Sequence, residues 1–248
     1  MVTALRCRGL LALGLLWVAG FDPALRAQAS NPSGGCWSQT EHQVASDGSW
    51  LAKGVVNAPR NAVRARNLEW ELPVAAASAL LIAEADTPAS RRIKSTALQR
   101  DSSRFSNIGL GLELASAATA YGVGCATHRE SARDAGLVAL EAAGAASAFD
   151  LALKTLTNRQ RPSVNLSRGE FWEGGGSFPS SHAAASFAFA SAIAHRYPRK
   201  PWVKWGAYAA AAAVSLARFP AKKHFLSDIV VGGTIGYVTG TYLASQPR

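Results

Sequence analysis

Three polar stretches of this sequence hold residue types that grip anions or move protons. In "KTLTNRQRP", Lys154 and Arg161 stand seven residues apart. That is close to two helical turns, so on one helix both side chains leave from the same face. In "FPSSHAAAS", Pro179 suits a helix entry and Ser180 stands where a cap belongs. The first-turn amides beyond it, beginning with Ser181, face a spot where the helix dipole favours negative charge, and His182 adds a titratable ring. In "ARFPAKKHFLSD", Arg218 ends one helix, and His224 and Asp228 open the next at i, i+4. A carboxylate that takes the proton of one imidazole nitrogen leaves the other as a nucleophile or base. Each stretch alone also has a plain reading: a snorkelling helix end, an ordinary cap, a surface His–Asp pair worth a few tenths of a kcal/mol.

Together the stretches supply Lys154, Arg161 and Arg218 as cations, His182 and His224 as proton-handling rings, a helix-entry hydroxyl and an orienting carboxylate. Such a set stabilises a pentavalent phosphoryl group. Cations neutralise the equatorial oxygens, one histidine attacks, and the other protonates the leaving oxygen.

The order and spacing resemble the type 2 phosphatidic acid phosphatase and vanadium haloperoxidase superfamily. Its signature is K-x6-RP, then PSGH, then SR-x5-H-x3-D. Here it reads Lys154-x6-Arg161-Pro162, then Pro179-Ser180-Ser181-His182, then Arg218-x5-His224-x3-Asp228. The match spans about 75 residues, with every charged and histidine position filled. Two positions depart. The glycine of PSGH is Ser181, and the serine before the third-motif arginine is Ala217. A serine still supplies a backbone amide unless the site needs a glycine-only backbone angle. The resemblance therefore implies a retuned site rather than a dead one.

Carried over, the resemblance implies that Lys154, Arg161 and Arg218 hold phosphate oxygens, with Ser180 and the Ser181 amide completing the cradle. His224 attacks phosphorus, Asp228 holds it in the attacking tautomer, and His182 protonates the leaving group. It implies no metal and no cofactor, with vanadate entering only if the chain is a haloperoxidase. The expected activity is phosphatase action on a phosphomonoester or diphosphate, of a lipid or isoprenoid, through a phosphohistidine. The alternatives are a broad-specificity soluble acid phosphatase, a vanadium haloperoxidase, and a non-catalytic protein that binds anions. Asp150, four residues before Lys154, is placed to pair with it and aim it.

The elements that must position these residues read as helices. Long Ala/Leu/Gly/Ser segments alternate with short charged connections, and period-2 alternation is nearly absent. The expected fold is all-α, a bundle of about six helices with the active site at one end. The candidates are residues 67–85, 104–122, 131–158, 181–197, 202–217 and 225–244. Ser131 and Asp134 form a candidate capping box for the third. The 163–177 connection, with "GGG" and Phe171 and Trp172, is a candidate lid.

Arg6 and Arg8, the apolar run 9–21 and "AQA" at 27–29 read as a secretory signal, residues 1–29. Residues 30–60 read as an irregular lead-in and 61–248 as the helical domain. The whole chain carries +10, and about +8 remains without the signal. That charge invites phosphates or anionic lipid. No nucleic-acid module or basic tract interleaved with aromatics is present. The expected partners are a phosphorylated small-molecule or lipid substrate and a membrane surface. The expected place is outside the cytoplasm, periplasmic or membrane-associated. Cys36 and Cys125 form either a disulfide or two buried thiols. Glu113, Glu141 and Asp150 interrupt the apolar segments, mean hydropathy is only +0.05, and basic loops lie at both ends of a serial bundle. These features favour a globular helical protein docked on a membrane over one threaded through it.

Overall fold

A computed structural model describes residues 36–62, 65–164 and 167–247. The expected signal segment lies outside them. The described residues are helical with no strand, as the absence of alternating patterns predicts. In chain order the helices are α1 (Cys36–Ala62), α2 (Ala65–Leu80), α3 (Asp86–Arg91), α4 (Thr96–Ala126), α5 (Glu130–Thr157), α6 (Ser181–Arg196), α7 (Pro201–Leu216) and α8 (Leu226–Ser245). A π-helical turn, Leu81–Ala85, joins α2 to α3.

Four differences from the sequence reading matter. Residues 36–60 are not an irregular lead-in but helix α1. It is tied down by a Cys36–Cys125 disulfide (Cα–Cα 5.8 Å) and by Thr40 Oγ1 on Tyr121 Oη at 3.0 Å. The fifth helix opens at Glu130 without a side-chain cap, and Asp134 instead accepts from Gln43 Nε2 at 3.0 Å. It also ends at Thr157, capped by Asn158 in the left-handed conformation, so Arg161 lies beyond it in a turn. Residues 170–177 are not a free flap. Backbone hydrogen bonds pin Glu170, Trp172, Gly175 and Ser177 to the 157–160 strip.

Helix α6 is the central strut, packed against α5, α7 and α8. Seven of its ten buried positions are alanine: Ala183, Ala184, Ala185, Ala188, Ala190, Ala192 and Ala194. Side chains this small let helix axes come together and place backbone against backbone. On α8 the facing stripe is Gly232, Gly236 and Gly240. A Cβ at Gly236 would sit 2.1 Å from the Ala184 carbonyl oxygen, and one at Gly232 2.5 Å from that of Ser180. The close approach fixes the register of α8 against the entrance of α6. Around this contact Val138, Ala139, Ala142 and Ala146 of α5 close the core with Phe189, Tyr242 and Leu243. A second cluster, Leu153, Phe178, Val231 and Ile235, forms the apolar floor beneath the chemistry-bearing loops.

Helices α4 and α5 are long and apolar enough to cross a membrane, by length and composition. Half of the apolar stretch of α5 is buried inside the bundle, against 17% of that of α4. Leu98, Phe105, Ile108, Leu112 and Val123 of α4 are exposed, an uncovered apolar face.

Candidate active site

The three polar stretches meet at the end of the bundle where α5 stops and α6 and α8 start. The Ser180 amide donates to the Asp228 carbonyl at 3.0 Å, which ties the second stretch to the third across the Gly232 contact. Thr157 Oγ1 donates to the Phe178 carbonyl at 2.8 Å, and the Ser177 amide donates to the Arg159 carbonyl at 3.0 Å. These two bonds tie the first stretch to the second. The Phe178–Pro179 peptide is cis.

His224 is buried, just before the first residue of α8. Its Nδ1 lies 2.6 Å from the Ser177 backbone carbonyl. A carbonyl oxygen only accepts, so Nδ1 carries the proton and Nε2 keeps a lone pair. Asp228 was expected to fix this tautomer. Its Oδ2 stands 3.8 Å from Nδ1, too far for a hydrogen bond, so it acts on the ring as a charge. The Asp228 oxygens are engaged elsewhere. Oδ2 accepts from Ser177 Oγ at 2.6 Å and from the Phe225 amide at 2.8 Å, and Oδ1 accepts from Arg159 Nη1 at 2.6 Å. Burial pushes the Asp228 carboxyl up, but Arg159, His224 and Ser177 outweigh it and hold it below the usual carboxylate range. Burial lowers His224 more than Asp228 raises it, so the ring is neutral at neutral pH.

Arg159 is the residue that sequence reasoning passed over inside its own first motif. It is fully buried and uses five partners besides Asp228: Asp86 Oδ2 at 2.9 Å, Ser227 Oγ at 2.7 Å, the Gly169 carbonyl at 3.1 Å, and the rings of Phe225 at 4.3 Å and Phe171 at 4.8 Å. Asp86 belongs to α3 and also accepts from the Ser227 amide and hydroxyl. Burial raises the Asp86 carboxyl against the pull of Arg159 and Ser227.

Lys154 pairs with Asp150, the pairing expected from their spacing. The Ser181 hydroxyl, at the departure from glycine, joins both: it accepts from Lys154 Nζ at 2.6 Å and donates to Asp150 Oδ2 at 2.6 Å. Ser180 occupies the cap position of α6, yet its buried hydroxyl makes no cap bond and has no partner. Arg218 is nearly buried. Its Nη1 donates to Ser106 Oγ at 2.8 Å and Asn107 Oδ1 at 2.9 Å, while its Nε has no partner. Burial and the neighbouring Arg161 guanidinium lower Arg218 to about 10, so it remains a cation at neutral pH. His182 Nε2 lies 2.9 Å from Asn107 Oδ1. Burial first, then the charges of Arg218, His224 and Lys154, lower this ring to about 3. Arg161 is exposed in its turn, beside Gly176.

The fold thus gathers Lys154, Arg161, Ser180, Ser181, His182, Arg218, His224 and Asp228 into one electrostatic neighbourhood. Within it the buried Ser180 hydroxyl and the Nε edge of Arg218 have no protein partner, and the neutral His224 ring keeps a lone pair on Nε2. Such donors suit an oxyanion, since buried polar atoms otherwise find partners. Among the described residues no cluster of His, Cys, Asp and Glu could hold a metal ion.

Comparison with known proteins agrees with this region of the chain. The profile of the PAP2 superfamily matches residues 135–248, which run from α5 to the end of α8. No curated protein matches the chain. Among solved structures, a transmembrane PAP2-type phosphatidylglycerolphosphate phosphatase from Bacillus subtilis is 18% identical. The likeness covers 84% of this chain and 92% of that one, with a TM-score of 0.45. The segment that matches the PAP2 superfamily, residues 135–248, carries all three signature stretches.

Proposed function

We propose that this phosphoric ester hydrolase is a metal-independent phosphatase that works through a phosphohistidine on a lipid or isoprenoid phosphate, outside the cytoplasm and at a membrane surface. Arg218 Nε, Ser180 Oγ, the Ser181 amide, Lys154 and Arg161 receive the phosphoryl oxygens. His224 Nε2 attacks phosphorus in line. As that N–P bond forms, the P–O bond to the leaving group breaks, and the departing oxygen takes a proton from His182. Water then attacks the phosphohistidine while His182 takes a proton from it; as the new P–O bond forms, the N–P bond breaks, its electron pair returns to His224 Nε2, and inorganic phosphate leaves. Burial and the surrounding charges of Arg218, His224 and Lys154 lower His182 to about 3, so the ring is neutral. A bound phosphate offsets the cations that depress it, so the ring becomes an acid only when there is a leaving group to protonate.

The observation that carries this reading is the state of His224: Nδ1–H is held by the Ser177 carbonyl, which leaves the Nε2 lone pair available to attack. The apolar face of α4 supports a lipid substrate, because Phe105 and Ile108 flank Ser106 and Asn107, which touch the site. The Cys36–Cys125 disulfide supports an oxidising compartment. The test is hydrolysis of p-nitrophenyl phosphate in EDTA by wild type and His224→Ala. Turnover that survives EDTA and falls by about 10³ or more in the variant is expected. Equal, negligible rates would make the protein an anion binder instead.

A further inference from the structure

We propose that Asn107 of α4, outside the family-matched segment, is the positioning residue for the proton donor of this site. The inference rests on the phosphatase reading above and goes beyond it by naming which nitrogen of His182 delivers the proton. Asn107 Oδ1 lies 2.9 Å from both Arg218 Nη1 and His182 Nε2. A guanidinium only donates, so the atom facing Arg218 is the amide oxygen and not its nitrogen. That same oxygen then requires His182 to donate from Nε2. The proton on Nε2 is committed to Asn107, and the labile second proton of the ring belongs to Nδ1.

Two histidines are therefore held in opposite tautomers by two neutral oxygens. The Ser177 carbonyl takes Nδ1–H of His224 and frees Nε2 to attack. Asn107 takes Nε2–H of His182 and leaves Nδ1 to carry the proton for the departing oxygen. The same Oδ1, with Ser106 Oγ, holds the Nη1 side of Arg218, while the Nε edge of that guanidinium keeps no protein partner and is left for the anion. One exposed amide thus sets the register between a phosphate-gripping cation and the acid. Its choice of a neutral oxygen is chemically apt. A carboxylate there would neutralise Arg218 and repel the substrate.

Asn107 is exposed, so replacing it costs the fold little, and its effect on chemistry can be read cleanly. Protonation of the leaving oxygen matters greatly for an alkoxide and little for a nitrophenolate, which departs without help. The experiment measures kcat/KM of wild type, Asn107→Ala and Asn107→Asp on n-butyl phosphate and on p-nitrophenyl phosphate. Asn107→Ala is expected to lose at least about tenfold more on the butyl ester than on the nitrophenyl ester. Asn107→Asp restores an acceptor for Nε2–H and raises the His182 basicity, which also feels Arg218, His224 and Lys154. Its activity on the butyl ester therefore falls off at a higher pH than that of wild type, by about one unit, while inorganic phosphate inhibits it more weakly. Equal losses on both esters in Asn107→Ala, or an unmoved alkaline limb in Asn107→Asp, overturn the positioning role and leave the phosphatase reading standing. A wild type that hydrolyses neither ester overturns both.

Discussion

Replacing Arg159 by methionine tests the charge arrangement beneath the site most directly. The side chain volume is nearly kept, but Asp228 and Asp86, both fully buried, lose their shared cation. A buried carboxylate left unpaired can always escape by taking a proton. The penalty per group is therefore capped by the cost of protonating it, about 1.4 kcal/mol for each pH unit above about 3.9, or roughly 4 kcal/mol at pH 7. Asp228 is held low in the native protein and meets that ceiling. Asp86 is already pushed up by burial, so it adds less. The expected loss is about 4–5 kcal/mol at pH 7, in line with other broken buried pairs and a large share of a domain's total stability. The pH dependence has a definite sign. In wild type the depressed Asp228 stabilises the fold above the unfolded value and is lost as pH falls through the folded one. In the variant both carboxyls are raised, so stability falls as pH rises. The gap between the two proteins therefore widens from about pH 4 upward and is under about 2 kcal/mol at pH 4.5. Urea unfolding at the two pH values measures it, and adding Asp86→Asn to the variant recovers about 1–2 kcal/mol at pH 7. A loss below about 1 kcal/mol, or one that is the same at both pH values, refutes the idea that Arg159 neutralises this pair.

Two further outcomes follow from other parts of the molecule. Because burial and nearby cations lower His182 to about 3 and an anion raises it, binding takes up a proton. The affinity for inorganic phosphate should strengthen by up to about tenfold per unit as pH falls from about 6 to 4; calorimetry in buffers of different ionisation heat counts the proton, and no uptake would refute the coupling. The Cys36–Cys125 bridge spans 89 residues of sequence, which corresponds to about 4–5 kcal/mol of chain entropy. Dithiothreitol should lower the melting temperature clearly yet leave KM unchanged, since Cys125 lies about 27 Å along α4 from Asn107; an unchanged melting curve would refute the stabilising role.

The later helices were legible because their signals are local. Residues 181–197, 202–217 and 225–244 were expected, against α6 at Ser181–Arg196, α7 at Pro201–Leu216 and α8 at Leu226–Ser245. Pro198 and Pro201 mark the break between the first two, and apolar runs do the rest. The N-terminal part was less legible. Helix α1 carries Gly48, Gly54, Pro59 and several Ser and Asn, a composition that reads as loop. Its contacts are with residues far along the chain: Cys125, Tyr121, Asp134 and Tyr242. No local pattern announces a helix secured in that way. The start of α4 was missed for a related reason. Its first turns, from Thr96 to Arg104, are mostly polar, with Leu98 the one large apolar side chain, and its cap is Ser95, whose hydroxyl accepts from the Leu98 amide.

Within the site, what spacing can encode and what it cannot are separated by chemistry. Lys154, Arg161, His182, Arg218, His224 and Asp228 are read from the sequence because only those side chains bring the charge or ring that each position contributes. The group that accepts the His224 proton is a backbone carbonyl, which every residue owns, so Ser177 leaves no trace in composition or spacing. With that carbonyl on Nδ1, Asp228 is free to serve Arg159, Ser177 and the Phe225 amide. A motif that reads as a His–Asp pair is in three dimensions a helix entrance, an ion pair and a distant charge at once. Asn107 is hidden for the opposite reason: it is an unremarkable amide on an exposed helix turn, 75 residues before the ring it touches. The proposed catalytic groups are thus named by their side chains, whereas the tautomers proposed for them depend on neutral oxygens, the Ser177 carbonyl and Asn107 Oδ1. On the proposed mechanism, a chain could keep every signature residue and still lose proton delivery through one substitution in α4.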